Sequence, residues 1–299
     1  MRLPANGPED VVVDRQGDLL TGVADGRILR VDPDSGRNSV VADTGGRPLG
    51  MHLMGDDELL VCDAEQGLLH LDLRTGGLRT LHAVPFASNA VADPDGTIYF
   101  TQSSRRFGLA HWQGDILEHS GTGRLLRLSP DGQVDVLLDD LQFANGVVRI
   151  ADAAVVAETG AYRLTRLFLS GHRAGQREMW VPNLPGSPDN LAMGPDGTLW
   201  AALANPRDRL LDLALRCPPI VRKAIWALPD RLLPGPRRTV RLVGVDGDGR
   251  ISHDLCGRID GFRMATGVAS YGGHLYVGSL VSSAIAVLEA PPNRPQTVR

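Results

Sequence analysis

Short apolar segments alternate with tight polar turns along most of the chain. In the clearest copies, residues 89–92 and 98–101 flank a Pro-Asp-Gly turn at 94–96, and residues 191–193 and 199–201 flank another at 195–197. Apolar pairs bounded by Asp, Pro and Gly turns predict β-hairpins. We therefore expect an all-β protein.

The hairpins recur six times, and a third strand follows the clearer copies, as at residues 26–31, 67–71 and 123–128. A unit of three to four strands that recurs roughly every 40 residues is typical of a propeller blade. The pattern predicts a six-bladed β-propeller that forms a single domain over residues 1–299. The first strands of the six units begin near Glu9, Gly50, Asn89, Asn145, Asn190 and Thr266.

Two longer intervals predict insertions between strands. Residues 105–120 interrupt blade three, and residues 205–238 interrupt blade five. The second interval carries apolar residues at helical spacing, separated by proline. We expect a cap over one end of the propeller, with a helical insertion in blade five.

Composition limits the classes of function. The chain is 42% hydrophobic and 22% charged with a net charge of -4, and it lacks the basic clusters of nucleic-acid-binding proteins. No apolar run reaches the ~20 residues of a membrane span, and residues 1–6 do not resemble a signal peptide. Cys62, Cys217 and Cys256 lack the spacing of a disulfide framework or a zinc site. We expect a cytoplasmic protein with a small-molecule substrate and neither nucleic-acid nor membrane partner; oligomeric state is left open.

Polar residues occupy the starts of the predicted inner strands, which are otherwise apolar. Since these starts face the central axis of a propeller, residues distant in sequence should meet there. Asn and Asp also precede strands simply because they form turns, but carboxylates and amides at one repeat phase favour a hard cation. Ca²⁺ takes about 6–8 oxygen ligands; Mn²⁺ and Mg²⁺ accept the same donors, and Zn²⁺ does so less readily. The predicted ligands are Glu9, Asn89, Asn145, Asp189 and Asn190.

Several segments resemble the strictosidine synthase-like signature: residues 143–147 followed by 157–164, residues 183–191, and the closing segment 273–280. The likeness covers nearly the whole chain. It implies a six-bladed propeller related to gluconolactonases, paraoxonases and diisopropyl-fluorophosphatase, in which calcium lies in the central channel. The family's Glu, Asn and Asp ligands match Glu9, Asn89, Asn145 and Asp189, and Asn190 resembles an adjacent amide ligand.

Three positions depart from the patterns of these relatives. Thr266 occupies the place of the Glu that plant strictosidine synthases use for condensation, which puts that reaction in doubt. The paraoxonase channel histidine would fall near Leu49, so that base is not carried over. Gln102 stands where the family usually has Asp, which replaces a carboxylate with an amide.

Calcium-dependent hydrolysis of a lactone or ester is the first functional hypothesis. Asp189 is the candidate to activate water or attack, although a ligand carboxylate is ordinarily a weak base. His52, the histidine nearest the predicted channel, is a second catalytic candidate. The alternatives are a non-hydrolytic condensation, cyclisation or lyase step on the same scaffold, or a binding propeller without catalysis. The predicted substrate contacts are Gln102, Arg105, Phe107, Trp112 and Thr266.

Overall fold

Six antiparallel sheets surround a common axis in the computed structural model, which describes residues 1–228 and 237–292. Within each sheet the strands follow in chain order, and the sixth sheet has three strands in the described part of the chain. The strands are β1 Val12–Val13, β2 Leu19–Gly22, β3 Arg27–Val31 and β4 Asn38–Asp43 in blade one; β5 Pro48–Leu53, β6 Glu58–Asp63, β7 Gly67–Asp72 and β8 Leu78–His82 in blade two; β9 Ala87–Ala92, β10 Ile98–Gln102, β11 Gly123–Leu128 and β12 Val134–Leu141 in blade three; β13 Ala144–Ile150, β14 Ala153–Glu158, β15 Arg163–Phe168 and β16 Arg177–Val181 in blade four; β17 Gly186–Met193, β18 Leu199–Pro206, β19 Val240–Val245 and β20 Ile251–Gly257 in blade five; β21 Ala265–Tyr271, β22 His274–Ser279 and β23 Ala286–Glu289 in blade six.

The first strand of every blade lies innermost. Strands β1, β5, β9, β13, β17 and β21 each contact the first strand of the next blade, and β21 contacts β1 to complete the ring. Six apolar cores fill the spaces between adjacent blades, one for each pair of neighbours. The predicted six-bladed β-propeller is confirmed.

The N-terminal segment closes the ring against blade six. Leu3 donates its backbone N–H to the carbonyl of Ser283 at 2.9 Å, and Arg2 forms a β-bridge with Ala284. Nearer the axis, Ser279 donates to the carbonyl of Pro8 at 2.6 Å. These bonds hold the start of blade one beside the last blade, which positions residue 9 at the axis.

Both predicted insertions contain short helices. Helix α1, Trp112–Glu118, lies between β10 and β11, while α2, Arg209–Ala214, and α3, Pro219–Trp226, lie between β18 and β19. Helix α3 packs on α1, where the rings of His111 and Trp226 meet edge-on at 6.2 Å. This confirms the helical insertion in blade five; its helical part starts after Pro206, where β18 ends, and positions 229–236 of the predicted insertion lie outside the described residues. None of the described helices is long and apolar enough to cross a membrane.

Candidate active site

Five predicted ligands lie at the inner ends of four blades. Each is buried, with at most 6% of its surface exposed. Their positions follow from the repeat, since each lies in or just before the innermost strand of its blade. The five are Glu9 before β1, Asn89 in β9, Asn145 in β13, and Asp189 and Asn190 in β17.

Hydrogen bonds join these side chains across the axis. The amide nitrogen of Asn190 donates to both carboxylate oxygens of Glu9, at 3.1 and 3.2 Å, across 181 positions of sequence. Asn89 Nδ2 donates to Asn190 Oδ1 at 2.9 Å. Blades one, three and five therefore meet directly at this point.

Asn145 connects blade four to the same cluster. Its Oδ1 accepts a hydrogen bond from Ser88 Oγ at 2.9 Å, and its Nδ2 donates to Thr159 Oγ1 at 3.3 Å. Its side chain also contacts Asp189 and lowers the pKa of that carboxyl. The structure thus brings all five predicted ligands into one buried polar cluster.

Glycines allow the inner strands to approach this closely. A Cβ at Gly146, next to Asn145, would lie 2.6 Å from the backbone nitrogen of Leu191 and 2.7 Å from the carbonyl oxygen of Asp189. A Cβ at Gly50 would lie 2.5 Å from the carbonyl oxygen of Ser88. Because real Cβ atoms do not come so close, a side chain at either position would push neighbouring blades apart at the axis.

The charged forms of the predicted ligands Glu9 and Asp189 are disfavoured in this cluster. Burial, followed by the charges of Asp189 and Asp10, raises the pKa of Glu9 well above its usual value, although Arg47 opposes this. Burial, followed by the charge of Asp10, likewise raises the pKa of Asp189. Asp189 Oδ1 has no hydrogen-bond partner among the described residues. A buried charge without a partner is costly, so the cluster is suited to a positive charge.

The chemistry of the donors fits a hard cation. The part of the chain that the structure describes contains no group of three or more His, Cys, Asp or Glu side chains able to hold a metal. A centre here would therefore rely on amide oxygens alongside the carboxylates of Glu9 and Asp189. Ca²⁺ and Mg²⁺ take such all-oxygen sets, whereas Zn²⁺ prefers His and Cys ligands.

An apolar cavity of about 480 Å³ opens above the cluster. Glu9, Asn145 and Asp189 form part of its lining, whereas Asn89 and Asn190 do not reach it. Its other walls combine inner-strand residues with the three helices of the cap. The apolar lining includes Leu49, Phe86, Trp112, Ile116, Leu117, Phe143, Leu211, Ile225, Met264 and Leu280.

Three of these apolar residues share an uncommon backbone conformation. Phe86, Phe143 and Met264 have φ values of 56°, 59° and 58°, in the left-handed region. This conformation costs free energy in a bulky residue and persists only where the surroundings enforce it. All three are buried and line the cavity, and the two phenylalanine rings meet edge-on at 5.4 Å. The sequence reasoning missed them, although each is a large apolar residue followed by Ala just before a polar inner-strand position.

Two of the five predicted substrate contacts line the cavity. Trp112 and Thr266 line the cavity, and Thr266 Oγ1 also donates to the carbonyl of Glu9 at 2.6 Å. Gln102, Arg105 and Phe107 do not line it, and their role as substrate contacts stays a prediction.

Local structure explains why these three side chains lie outside the cavity lining. The β9–β10 pairing shifts register between residues 100 and 102, and such irregularities re-aim side chains; Gln102 Nε2 instead donates to the carbonyl of Pro85 at 3.0 Å. Arg105 is exposed and bonds to the backbone of Thr122. Phe107 packs on α1, where its ring covers Gly114.

His52 is not part of this site either. It lies three residues along β5 from Leu49, and a strand advances ~3.3 Å per residue. Its side chain lines a separate depression with His70 and the turn at Pro130, whereas Leu49 lines the cavity. The structure therefore places His52 apart from the polar cluster, and its catalytic role stays a prediction. Burial lowers its pKa, which is the behaviour of a packed, neutral histidine.

Two buried charges beside the cluster were not predicted. Asp10 accepts backbone hydrogen bonds from Val11 at 2.9 Å and Met51 at 3.0 Å, which tie β5 to the start of blade one; burial raises its pKa to about 7. Arg47 donates to the carbonyl of Gly7 at 2.9 Å and favours the charged form of Glu9. Asp10 could have been predicted to lie beside the cluster, because it directly follows Glu9 in the sequence.

Known proteins share both the sequence and the fold. The family described as Strictosidine synthase matches residues 88–172, and Strictosidine synthase-like, N-terminal, matches residues 2–31. The chain is 31% identical over 320 residues to the adipocyte plasma membrane-associated protein of Danio rerio, covering 95% of this chain and 75% of the relative. It is 34% identical over 303 residues to the protein STRICTOSIDINE SYNTHASE-LIKE 6 of Arabidopsis thaliana, covering 95% and 79%.

Solved structures resemble the propeller at lower sequence identity. A gluconolactonase from Xanthomonas campestris superposes with a TM-score of 0.66 at 17% identity, covering 97% of this chain and 88% of the other. The calcium-binding protein regucalcin from Agrobacterium tumefaciens superposes with a TM-score of 0.61 at 16% identity, covering 93% and 82%. At these identities the likeness is one of fold.

Proposed function

The chain belongs to the strictosidine synthase-like family, and we propose that it is a metal-dependent hydrolase that cleaves a lactone or ester above the central polar cluster. One observation carries the proposal: Asp189, whose Oδ1 has no hydrogen-bond partner among the described residues, lies near the buried carboxylate of Glu9 at an apolar cavity. Such convergence of groups with perturbed pKa values in a pocket is typical of catalytic sites. The fold shared with a gluconolactonase is further support.

We propose Ca²⁺ as the cation, with Glu9, Asp189 and the side-chain oxygens of Asn89, Asn145 and Asn190 as the residues that would hold it. The two carboxylates balance a double positive charge, and the amides supply neutral oxygens. A bound divalent cation supplies Lewis-acid polarisation of a carbonyl group. The structural neighbour named as a calcium-binding protein supports the choice of metal.

Asp189 is the proposed general base. Its Oδ1 has no hydrogen-bond partner among the described residues, and its side chain lines the cavity, so this oxygen is placed to accept a proton from water. In the proposed step, its free oxygen takes a proton from water while the water oxygen bonds to the substrate carbonyl carbon. The C–O bond to the leaving alcohol then breaks, and the alcohol oxygen takes up the proton that Asp189 accepted from water. The contact with Asn145 orients the carboxyl group for this transfer.

The cavity walls bind the rest of the substrate. Phe86, Phe143 and Met264 converge above the polar cluster, and their apolar surfaces exclude water from the reacting group. Exclusion of water strengthens each electrostatic interaction at the cluster. The substrate proposed for this site therefore combines an ester or lactone with an apolar portion.

Hydrolysis of a panel of aryl esters and lactones, with and without a chelator, tests the proposal. We expect turnover that disappears on chelation and returns with Ca²⁺. Asp189→Asn should abolish turnover while the protein stays folded, and Asp139→Asn, a change at an exposed carboxylate in β12, should not affect it. Absence of turnover on every substrate by the calcium-loaded protein contradicts the proposal.

We propose that the protein is cytoplasmic. All three cysteines are free: Cys62 is buried, Cys217 half-buried and Cys256 exposed. Exposed free thiols persist in reducing compartments. Fractionation of the native host, with the protein detected by antibody, is the corresponding test.

A further inference from the structure

The helical cap exposes apolar side chains to an unusual degree. In residues 1–228 and 237–292, thirteen large apolar side chains are exposed, and five of these lie in the twenty residues from 209 to 228. Single exposed apolar residues are ordinary, but a concentration of them marks an interaction surface. The five are Leu210 (70% exposed), Leu213 (61%), Ile220 (77%), Val221 (40%) and Leu228 (44%).

Both helices carry exposed apolar residues beside inward-facing ones. In α3, Ile225 and Trp226 face the cavity and α1, while Ile220 and Ala224 stand in solvent one turn apart. In α2, Leu211 packs inward and Leu210 is exposed. The inward residues hold both helices against the propeller, and most of the surface of Leu210, Leu213 and Ile220 is left in contact with solvent.

Basic side chains accompany this apolar face. Residues 207–228 contain five basic and two acidic residues, although the whole chain has a net charge of -4. Both acids are engaged: Asp208 caps α2 and pairs with Arg237 at 2.7 Å, and Asp212 lies 3.9 Å from Arg207. By contrast, Arg209, Arg216 and Lys223 are exposed and form no ion pair within the described residues. The face is therefore apolar and positively charged.

The same face borders the cavity. Leu210, Leu213 and Leu228 are exposed to solvent and also line the cavity wall. An apolar molecule that enters between them reaches the polar cluster without leaving apolar surroundings.

We propose that the part of the cap inserted in blade five, residues 209–228, docks on an anionic phospholipid membrane. The exposed Leu and Ile side chains enter the interface, and the unpaired Arg and Lys side chains lie at the phosphate headgroups, as in interfacial amphipathic helices. A second copy of the chain fits this face less well, because a two-fold interface brings like patches together and would oppose the basic side chains to one another. As a consequence that rests on the proposed function, apolar esters reach the site from the lipid phase.

This surface differs from the kind of membrane contact that the sequence excluded. The expectation of no membrane partner rested on the lack of an apolar run of spanning length. Docking by short helices needs no such run, because only one face of each helix enters the lipid interface.

Vesicle flotation tests the docking surface without reference to catalysis. We expect the calcium-loaded protein to float with phosphatidylcholine vesicles that contain phosphatidylglycerol, and to float much less with phosphatidylcholine alone. Ile220→Ser with Val221→Ser should lower partitioning at least tenfold. Arg209→Gln with Lys223→Gln should lower it roughly fivefold per side chain, the equivalent of ~1 kcal/mol each.

Similar substitutions elsewhere on the surface control for the general loss of an exposed apolar or basic side chain. Met179→Ser, at a side chain that is 58% exposed in β16, and Arg79→Gln, at an exposed residue in β8, should leave flotation unchanged. The melting temperature of each variant reports whether it folds. The proposal is overturned if the wild type does not float with the anionic vesicles, or if cap and control variants behave alike. It is also overturned if light scattering shows a dimer that Ile220→Ser with Val221→Ser dissociates, since a second copy then covers the cap.

A kinetic comparison separates this inference from the proposed function. Ile220 and Val221 do not line the cavity, so their double variant should hydrolyse a water-soluble ester at the wild-type rate and a vesicle-embedded ester more slowly. Flotation without hydrolysis of any ester would overturn the hydrolase and leave the docking surface in place.

Discussion

Asp189→Asn is expected to have opposite effects on the cation-free and the calcium-loaded protein. In the cation-free protein, Asp189 is a buried carboxyl near Glu9, and burial raises the pKa of both groups. The folded state then binds more protons than the unfolded state. Stability is therefore lost as the pH rises above the unfolded value of about 4 and through the raised folded pKa. At pH 8 the substitution removes one buried charge and relieves the pKa of Glu9, so it should stabilise the cation-free protein.

The size of each effect follows from linkage. One pKa unit corresponds to about 1.4 kcal/mol, so the cation-free variant should gain about this much for each unit by which the pKa of Glu9 falls when the charge of Asp189 is removed. A ligand at a hundred times its dissociation constant stabilises the folded state by about 2.7 kcal/mol. For a large chain, each kcal/mol shifts the melting temperature by roughly 2 °C. Calcium should therefore raise the melting temperature of the wild type by about 5 °C and that of Asp189→Asn by little.

Calorimetric melting of both proteins at pH 8, in chelator and in saturating CaCl₂, provides the assay. Asp139→Asn, at an exposed carboxylate in β12, is the matched control and should follow the wild type in both conditions. The reasoning is refuted if Asp189→Asn is less stable than the wild type in chelator yet gains as much stability from calcium.

Three further perturbations probe the surroundings of the site. Glu158→Gln should reduce the loss of unfolding free energy at acid pH. Burial alone would raise the pKa of Glu158, but the hydrogen bonds from Arg163 and from the backbone lower it overall. The stabilisation by the Glu158 carboxylate is therefore present above about pH 4.3 and is lost as the pH falls through the lowered folded pKa. Urea unfolding at pH 7 and pH 3 measures this, and equal acid losses in both proteins would contradict it. Phe86→Ala removes a fully buried ring and should cost about 3–5 kcal/mol in urea unfolding; a cost under ~1 kcal/mol would show that the ring is not packed. Gly146→Ala should weaken calcium binding in a titration, because its Cβ would lie 2.7 Å from the carbonyl oxygen of Asp189; unchanged affinity would show that the inner strands need not approach so closely.

The convergence of side chains at the axis could be predicted from the sequence because a propeller is periodic. Residues at one phase of the repeat occupy equivalent places around the ring, so the polar residues Glu9, Asn89, Asn145 and Asp189 could be expected to lie together. Hydrogen bonds between Asn190 and Glu9, 181 positions apart, are the outcome of that periodicity. Cation binding by these residues is still a prediction.

Position along a strand and local backbone conformation could not be obtained in the same way. His52 is close to Gly50 in sequence, but the strand carries it toward a different depression. The position of Gln102 outside the cavity lining could not be predicted, because a register shift in the β9–β10 pairing cannot be read from apolar alternation. The left-handed conformations of Phe86 and Phe143 contradict the usual preferences of bulky residues, so propensity predicts against them.

The cap illustrates a further limit of sequence patterns. Helical spacing in residues 205–238 predicted helices, which the structure confirms at α2 and α3. The spacing could not show which apolar residues face the propeller and which face solvent. That distinction depends on the packing of α3 against α1, and it carries the proposal of a membrane-docking face.

Calorimetric titration of chelator-stripped protein with CaCl₂ tests most directly whether four blades build one cation site. We expect one calcium ion to bind per chain, and we expect Glu9→Gln to weaken binding by well over tenfold, since it removes a carboxylate ligand. Absence of calcium binding by the wild type at millimolar concentration, or equal binding by wild type and Glu9→Gln, would contradict the account.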